Sequence, residues 1–244
     1  MNKVSIIIPT LNEERSLERT LRCLNNLQPP PLEIIISDGG SSDNTVKIAL
    51  THQVTVTTVD KPGRSLQMNQ GALVAKGEIF CFLHADTLVP DDLITIITKT
   101  LSDSSISLGG FISLMCGQQT TRWSISLHNY LKTYYAPLLF RPYHFFFRGL
   151  RLLFGDQVLF CRKIDFNQSG GFDENLPIME DGDLCVRLNS LGRIYLVNRI
   201  VQSSDRRVAK WGFIKATAIY LYIGFLWGFG VKGSYLKKFY QDIR

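Results

Sequence analysis

Four short apolar runs, at residues 4–8, 32–37, 54–59 and 79–83, alternate with stretches patterned as helices. This alternation limits the possible folds more than any other feature. The first, Val4-Ser5-Ile6-Ile7-Ile8, is β-branched and nearly continuous in its apolar character, as in a strand buried on both faces of a parallel sheet. After the first run, Leu17, Leu21, Leu24 and Leu27 recur at intervals of three and four, the core face of a helix. Thr10 and Glu13 have capping-box spacing, so this helix is expected to begin there and run to about Leu27. Pro29, Pro30 and Pro31 end it. Further helices are expected from Asp43 or Asn44, over 65–75 with Gly77 as the stop, and from Pro90. Strand and helix repeated four times predict a parallel sheet with helices on both faces. Residues 106–115 read as another strand, 123–139 and 181–191 as helices, and 213–231 as a strongly apolar segment.

With 244 residues, 45% of them hydrophobic and 20% charged, the chain can bury a large core. Its net charge of +6 is unevenly spread: residues 1–105 carry −3 and residues 106–244 carry +9. The basic half is expected to attract phosphates or an acidic membrane surface. Nucleic acid is not an expected partner, because the basic residues are scattered among apolar stretches without a recognition-helix or RNA-binding motif. Cys23, Cys81, Cys116, Cys161 and Cys185 show no CxxC and no zinc spacing, which predicts reduced thiols and a cytoplasmic location. The first apolar run stops at Pro9 and is too short for a signal peptide.

Polar residues collect at the carboxyl ends of the expected strands, where open α/β sheets bind ligands. Thr10, Asn12 and Glu13 follow the first, Asp38 the second and Asp86 the fourth. The glycine-rich dinucleotide and P-loop signatures are both absent. Asp38-Gly39-Gly40 offers a carboxylate beside flexible backbone, and a carboxylate can accept the ring N–H of a uracil-type base. Asp86 suits a divalent cation shared with phosphate oxygens. Glu180, Asp181 and Asp183 fall within four residues at an expected helix start, where the dipole favours negative charge. Asp183 and Arg187 have the spacing of a helical ion pair. A carboxylate over the cleft, from Glu180 or Asp181, could take a proton from an acceptor hydroxyl.

In order and spacing, VSIIIPTLNE (4–13), DGGSSDNT (38–45), LHAD (83–86) and EDGDLCVR (180–187) resemble the blocks of the family 2 glycosyltransferases of the GT-A fold. GRSLQMNQGA (63–72) resembles a further block of a bacterial subgroup whose acceptors are mostly unassigned. The resemblance implies a Rossmann-like, mostly parallel central sheet with a helical C-terminal segment. Residues 1–205 would form the glycosyltransferase domain, with 1–105 its nucleotide-sugar half and 106–205 its acceptor half, and 206–244 would follow as an apolar and basic helical segment.

The resemblance also implies roles. Pro9, Thr10, Asn12, Glu13, Asp38, Gly39, Arg64, Asn69, His84, Ala85 and Asp86 would bind the nucleotide-sugar donor, with Asp38 on the base and Arg64 on the nucleotide or diphosphate. Asp86 would hold Mn2+ or Mg2+. Asp181 would be the general base, beside Glu180, and Gly170-Gly171-Phe172 would shape the loop under the acceptor. His84 stands where the family usually has the first Asp of D-x-D; imidazole can bind manganese or hydrogen-bond a phosphate or a sugar hydroxyl. The implied activity is inverting transfer from a nucleoside-diphosphate sugar, with UDP preferred, to an acceptor hydroxyl.

Two other functions share parts of this pattern. A sugar nucleotidyltransferase would want a Gly-rich, Arg-containing loop after the first strand, and residues 9–13 are not that. A catalytically silent nucleotide-binding protein at a membrane surface would explain His84 and the apolar C-terminus, but not the retention of Glu180 and Asp181. Residues 216–231 hold no charge and are flanked by lysines and arginines. As a helix they would span about 24 Å, short of a hydrocarbon core of roughly 30 Å. Two expectations stand: a helix lying in the plane of an anionic membrane, with a lipid-linked or apolar alcohol as acceptor, or a buried helix closing the core.

Overall fold

The computed structural model describes residues 3–117 and 120–240; the remaining residues of the expected segments lie outside the described residues. Seven strands form one sheet in the order β3-β2-β1-β4-β6-β5-β7. They are β1 (Val4–Thr10), β2 (Glu33–Asp38), β3 (Thr55–Thr58), β4 (Ile79–Phe82), β5 (Ile106–Cys116), β6 (Leu159–Arg162) and β7 (Arg193–Ser204). All neighbours pair in parallel except β6, which runs antiparallel to both β4 and β5. The helices are α1 (Leu17–Asn25), α2 (Thr45–Thr51), α3 (Arg64–Val74), α4 (Leu93–Leu101), α5 (Trp123–Phe140), α6 (Pro142–Phe147), α7 (Lys163–Gln168), α8 (Glu180–Leu188), α9 (Arg206–Trp211), α10 (Phe213–Gly228) and α11 (Gly233–Leu236).

Consecutive residues of β1 explain the unbroken apolar runs. Ile6 and Ile8 pack with Leu17 and Leu21 of α1 and Ile97 of α4, while Ile7 packs on the other face with Met68 of α3 and Leu184 of α8. Both faces are covered, so both alternate positions are mostly apolar, and the buried Ser5 hydroxyl is satisfied by donating to Glu33.

One local expectation needs correction. α1 starts at Leu17 rather than at Thr10: Thr10 ends β1 and gives its hydroxyl to Asp38, while the Ser16 and Leu17 N–H groups donate to the Glu13 carbonyl. The sheet is mostly parallel, as expected, with β6 wedged antiparallel between β4 and β5. β7, which the sequence pattern does not announce, carries two extra residues against β5 between Val197 and Ile200, where the pairing is bulged.

Close packing at the wedge has a measurable consequence. A methyl on Gly109 of β5 would stand 2.2 Å from the ring of its partner Phe160. Gly109→Ala is expected to lower unfolding free energy by about 1–3 kcal/mol through overpacking, as read by urea denaturation.

α10 does not close the core. Only Ala216 and Ile223 are buried along it, and Phe213, Ile214, Leu221, Tyr222 and Phe225 are exposed. Among the described residues, no helix is long and apolar enough to cross a membrane. All five cysteines are free thiols.

Candidate active site

The carboxyl ends of β1 and β4 open into a cleft of about 660 Å³. Pro9, Thr10 and Glu13 enter from the end of β1, Arg64 and Gln67 from the start of α3, and His84, Ala85 and Asp86 from the end of β4. The opposite side carries Glu180 and Asp181 at the start of α8, Lys132 of α5, and Arg206 and Arg207 of α9. The cleft therefore lies where an open α/β sheet binds ligands.

Four of the expected donor-binding residues sit behind the wall and build it. Asp38 is buried, and its two oxygens accept from the Gly40 and Ser41 N–H groups and the Thr10 and Ser41 hydroxyls. These contacts hold the 38–41 loop at the carboxyl end of β2. Asn12, with φ of 56°, accepts the Ser42 N–H, and its own N–H donates to Ser41 Oγ, joining the same two loops. Gly39 packs under the Gln67 side chain. Asn69 is not on the cleft: its amide donates to the Phe172 carbonyl and accepts the Phe172 N–H, tying α3 to the 170–172 turn. Gly170 and Gly171 hold positive φ there, and Phe172 is buried in the core; residues 174–179, which follow, line the cleft.

The acidic side of the cleft is strongly perturbed. Asp181 Oδ2 accepts the Gly155 N–H at 2.8 Å, while Oδ1 is buried without a partner. Burial, reinforced by neighbouring Glu180, pushes its carboxyl up to about 8 against the opposing pull of Arg64. Glu180 itself pairs with Arg64 at 2.8 Å. His84 Nε2 is also buried without a partner; a methyl on Gly155 would stand 2.4 Å from it and 3.1 Å from Asp181 Oδ2. Burial and three nearby arginines hold the His84 imidazole well below its ordinary value, so it is neutral near pH 7. Lys132 is pushed down to about 8 by burial, opposed by Asp156 and Asp181.

On the other side, Arg206 binds both oxygens of Glu13, at 2.7 and 2.9 Å, and Asp86 at 2.9 Å. Burial raises the Asp86 carboxyl, and Arg206 opposes the rise. Two carboxylates thus converge on one cation. Among the described residues, no three His, Cys, Asp or Glu side chains form a ready metal cage. A divalent ion in a phosphate site needs only one or two carboxylates, with phosphate oxygens and water completing its shell. Asp86 fits that demand. His84 turns its Nε2 toward Gly155 and Asp181.

The structure adds residues that the sequence reading did not single out. Gln67 Nε2 donates to the Thr10 and Ser37 carbonyls, clamping the ends of β1 and β2. Gly155, Lys132 and the Arg206-Arg207 pair complete the far side. Lys132 left a signal: it is the one Lys, Arg, Asp or Glu within α5.

The Asp181 perturbation carries its own test. The base form must be ionised, so kcat/KM for any proton-abstracting reaction rises with pH through about 8. Glu180→Gln removes a like charge, which eases ionisation, and the acid limb of a pH–rate profile is expected to move to lower pH. An unmoved limb would show that Asp181 does not control it.

Comparison with known proteins agrees with this geometry. The glycosyl transferase family 2 model matches residues 5–165. A GalNAc(5)-diNAcBac-PP-undecaprenol beta-1,3-glucosyltransferase of Campylobacter jejuni is 32% identical over 108 residues, 41% of this chain and 34% of the relative. The chain spans about a third of the length of the curated relatives it matches. Among solved structures, a mannosyltransferase from Pyrobaculum calidifontis in complex with GDP-Man and Mn2+ superposes with a TM-score of 0.68 at 19% identity, over 93% of this chain and 63% of that one. Glucosyl-3-phosphoglycerate synthase of Mycobacterium tuberculosis, in complex with Mn2+, UDP and glucosyl-3-phosphoglycerate, gives 0.63 at 19% identity, over 94% and 81%. The α/β sheet, its cleft and the matched segment together establish that the chain belongs to glycosyl transferase family 2.

Proposed function

We propose that this glycosyltransferase moves a sugar from a UDP-sugar to a hydroxyl of a lipid-linked or apolar acceptor, with inversion at the anomeric carbon. The observation that carries the reading is Asp181, a buried carboxylate with one unpartnered oxygen on a cleft that also holds Arg64, Lys132, Arg206 and Arg207. Asp181 takes the acceptor proton, and the acceptor oxygen attacks the anomeric carbon from the face opposite the diphosphate. Arg64 and Arg206 stabilise the charge that develops on the leaving diphosphate. Glu180 holds Arg64 in place, and Gly155 orients Asp181 through its N–H. Mn2+ or Mg2+, held by Asp86 together with the donor phosphates, would supply further neutralisation of the leaving group. Neutral His84, beside Asp181, offers a hydrogen bond to a sugar or acceptor hydroxyl.

The lipid acceptor is supported by the undecaprenol-linked substrate named for the Campylobacter relative and by the protein's own surface. Residues 104–155 and 206–240 contain no acidic residue and twelve basic ones. α5, α6 and α10 expose aromatic and aliphatic side chains from these same stretches. Such a face suits peripheral attachment to an anionic membrane.

A thermal-shift panel of UDP-, GDP- and dTDP-sugars, with and without manganese, tests the donor. A ligand that binds only the native state raises its stability. UDP-sugars are expected to stabilise most, and more with manganese; no stabilisation by any nucleotide sugar would overturn the donor reading.

A further inference from the structure

A second cavity, of about 380 Å³, lies between α5 and α10. Leu139, Phe140, Leu152 and Phe225 give it an almost wholly carbon wall. It is continuous with the catalytic cleft, because Lys132, Phe154, Tyr220 and Gly224 line both. Its outer rim is exposed: Leu139 is 67% accessible and Phe225 57%. Beyond the rim, Trp123, Leu127 and Leu131 continue the apolar surface along α5, and Phe213 and Ile214 along α10. Apolar patches of this extent mark an interaction surface rather than ordinary exterior.

At the junction of the two cavities stands one cation. Lys132 Nζ lies 3.6 Å from the centroid of the Phe154 ring. Among the described residues, no carboxylate lies within ion-pair distance of it, although Asp156 and Asp181 are near enough to act on its charge. A hydrocarbon channel that ends on an ammonium beside a carboxylate matches an amphiphile with an anionic head.

We infer that the groove between α5 and α10 holds the hydrocarbon chain of a phosphate-bearing lipid acceptor, with Lys132 taking the phosphate and presenting the acceptor hydroxyl to Asp181. This rests on the proposed role of Asp181 as the acceptor-side base. Two observations favour a lipid over a protein partner. The groove opens into the catalytic cleft, so its occupant enters the reaction site, whereas a docked helix would only plug it. The surrounding surface is basic and free of acidic residues over 104–155 and 206–240, which suits an anionic lipid surface.

An ω-bromoundecyl phosphate, used below its micelle concentration, is the probe. Bromine quenches indole fluorescence on contact, and Trp227 lines the groove. Saturable quenching is expected in the wild type and is expected to be lost in Trp227→Phe. Gly224→Leu fills the groove without strain, since a Cβ at Gly224 meets nothing within 4 Å and leucine favours the helix. It should weaken probe binding by roughly tenfold or more, the transfer value of a few buried methylenes. Lys132→Gln should weaken the phosphate probe by roughly tenfold, as for a lost charge-assisted hydrogen bond, but leave ω-bromoundecanol binding unchanged. UDP titration of each variant reports a folded donor cleft. Normal UDP binding with no saturable quenching, or with quenching indifferent to Gly224→Leu, overturns the groove. A wild type that quenches but binds no nucleotide overturns the donor reading instead.

Discussion

Asp181→Asn is expected to lower turnover by about 10²–10⁴-fold while leaving nucleotide-sugar affinity nearly constant. Asparagine keeps the shape and still accepts the Gly155 N–H through its amide oxygen. What it loses is basicity, so the loss belongs in kcat rather than in donor binding. The stability effect has the opposite sign. Burial raises the Asp181 carboxyl to about 8, so between the ordinary carboxylate range and that pH the folded state holds a proton that the unfolded state has released. The native state's advantage from this group is greatest below the unfolded pKa and is lost as pH rises through about 8. Above that pH, Asp181→Asn should therefore raise the melting temperature while the enzyme is nearly inactive. Near-normal turnover in the variant would move the base to Glu180 or Asp183.

Asp86→Ala has the second large effect. Removing the carboxylate should abolish the tightening of UDP by manganese and lower turnover by about 10²–10³-fold, the scale of losing one element of charge stabilisation in a transition state. Arg206 keeps its bidentate contact with Glu13, so the cleft is expected to stay folded and metal-free UDP binding to change little. Calorimetry with and without manganese separates the two terms. Unaltered manganese dependence in the variant, or wild-type transfer indifferent to a chelator, would contradict the role given to Asp86.

The parts of the fold that could be read from the chain are those where local pattern and tertiary environment agree. The centres of β1 and β2, Ile6–Ile8 and Ile34–Ile36, are unbroken apolar runs because helices cover both faces, and α1 repeats leucine at the helical period because one face is buried. β7 defeated the pattern because a bulge after Val197 leaves three consecutive residues exposed where a regular strand would alternate. β6 is four residues long and is held by its neighbours, so it carries too little sequence to announce itself.

The site divides on the same ground. The rule that ligands bind beyond strand carboxyl ends brought attention to Pro9, Thr10, Glu13 and His84–Asp86, which line the cleft. It could not reveal how Asp38 anchors the 38–41 loop, because that depends on how Thr10 and Ser41 close around it. Nor could it find Lys132 and Gly155, which approach from segments that only the completed fold brings to Asp181.

The account's central claim is that this cleft breaks the bond between a sugar and a nucleoside diphosphate by single displacement. Proton NMR of the anomeric signal tests it most directly, with the UDP-sugar that stabilises the protein most and with water as a slow surrogate acceptor. For a donor of α configuration, the account predicts that the wild type releases the sugar first as the β anomer and that Asp181→Asn leaves the donor intact over the same period. Release of the α anomer, equal consumption by the variant, or a donor untouched by the wild type would contradict it.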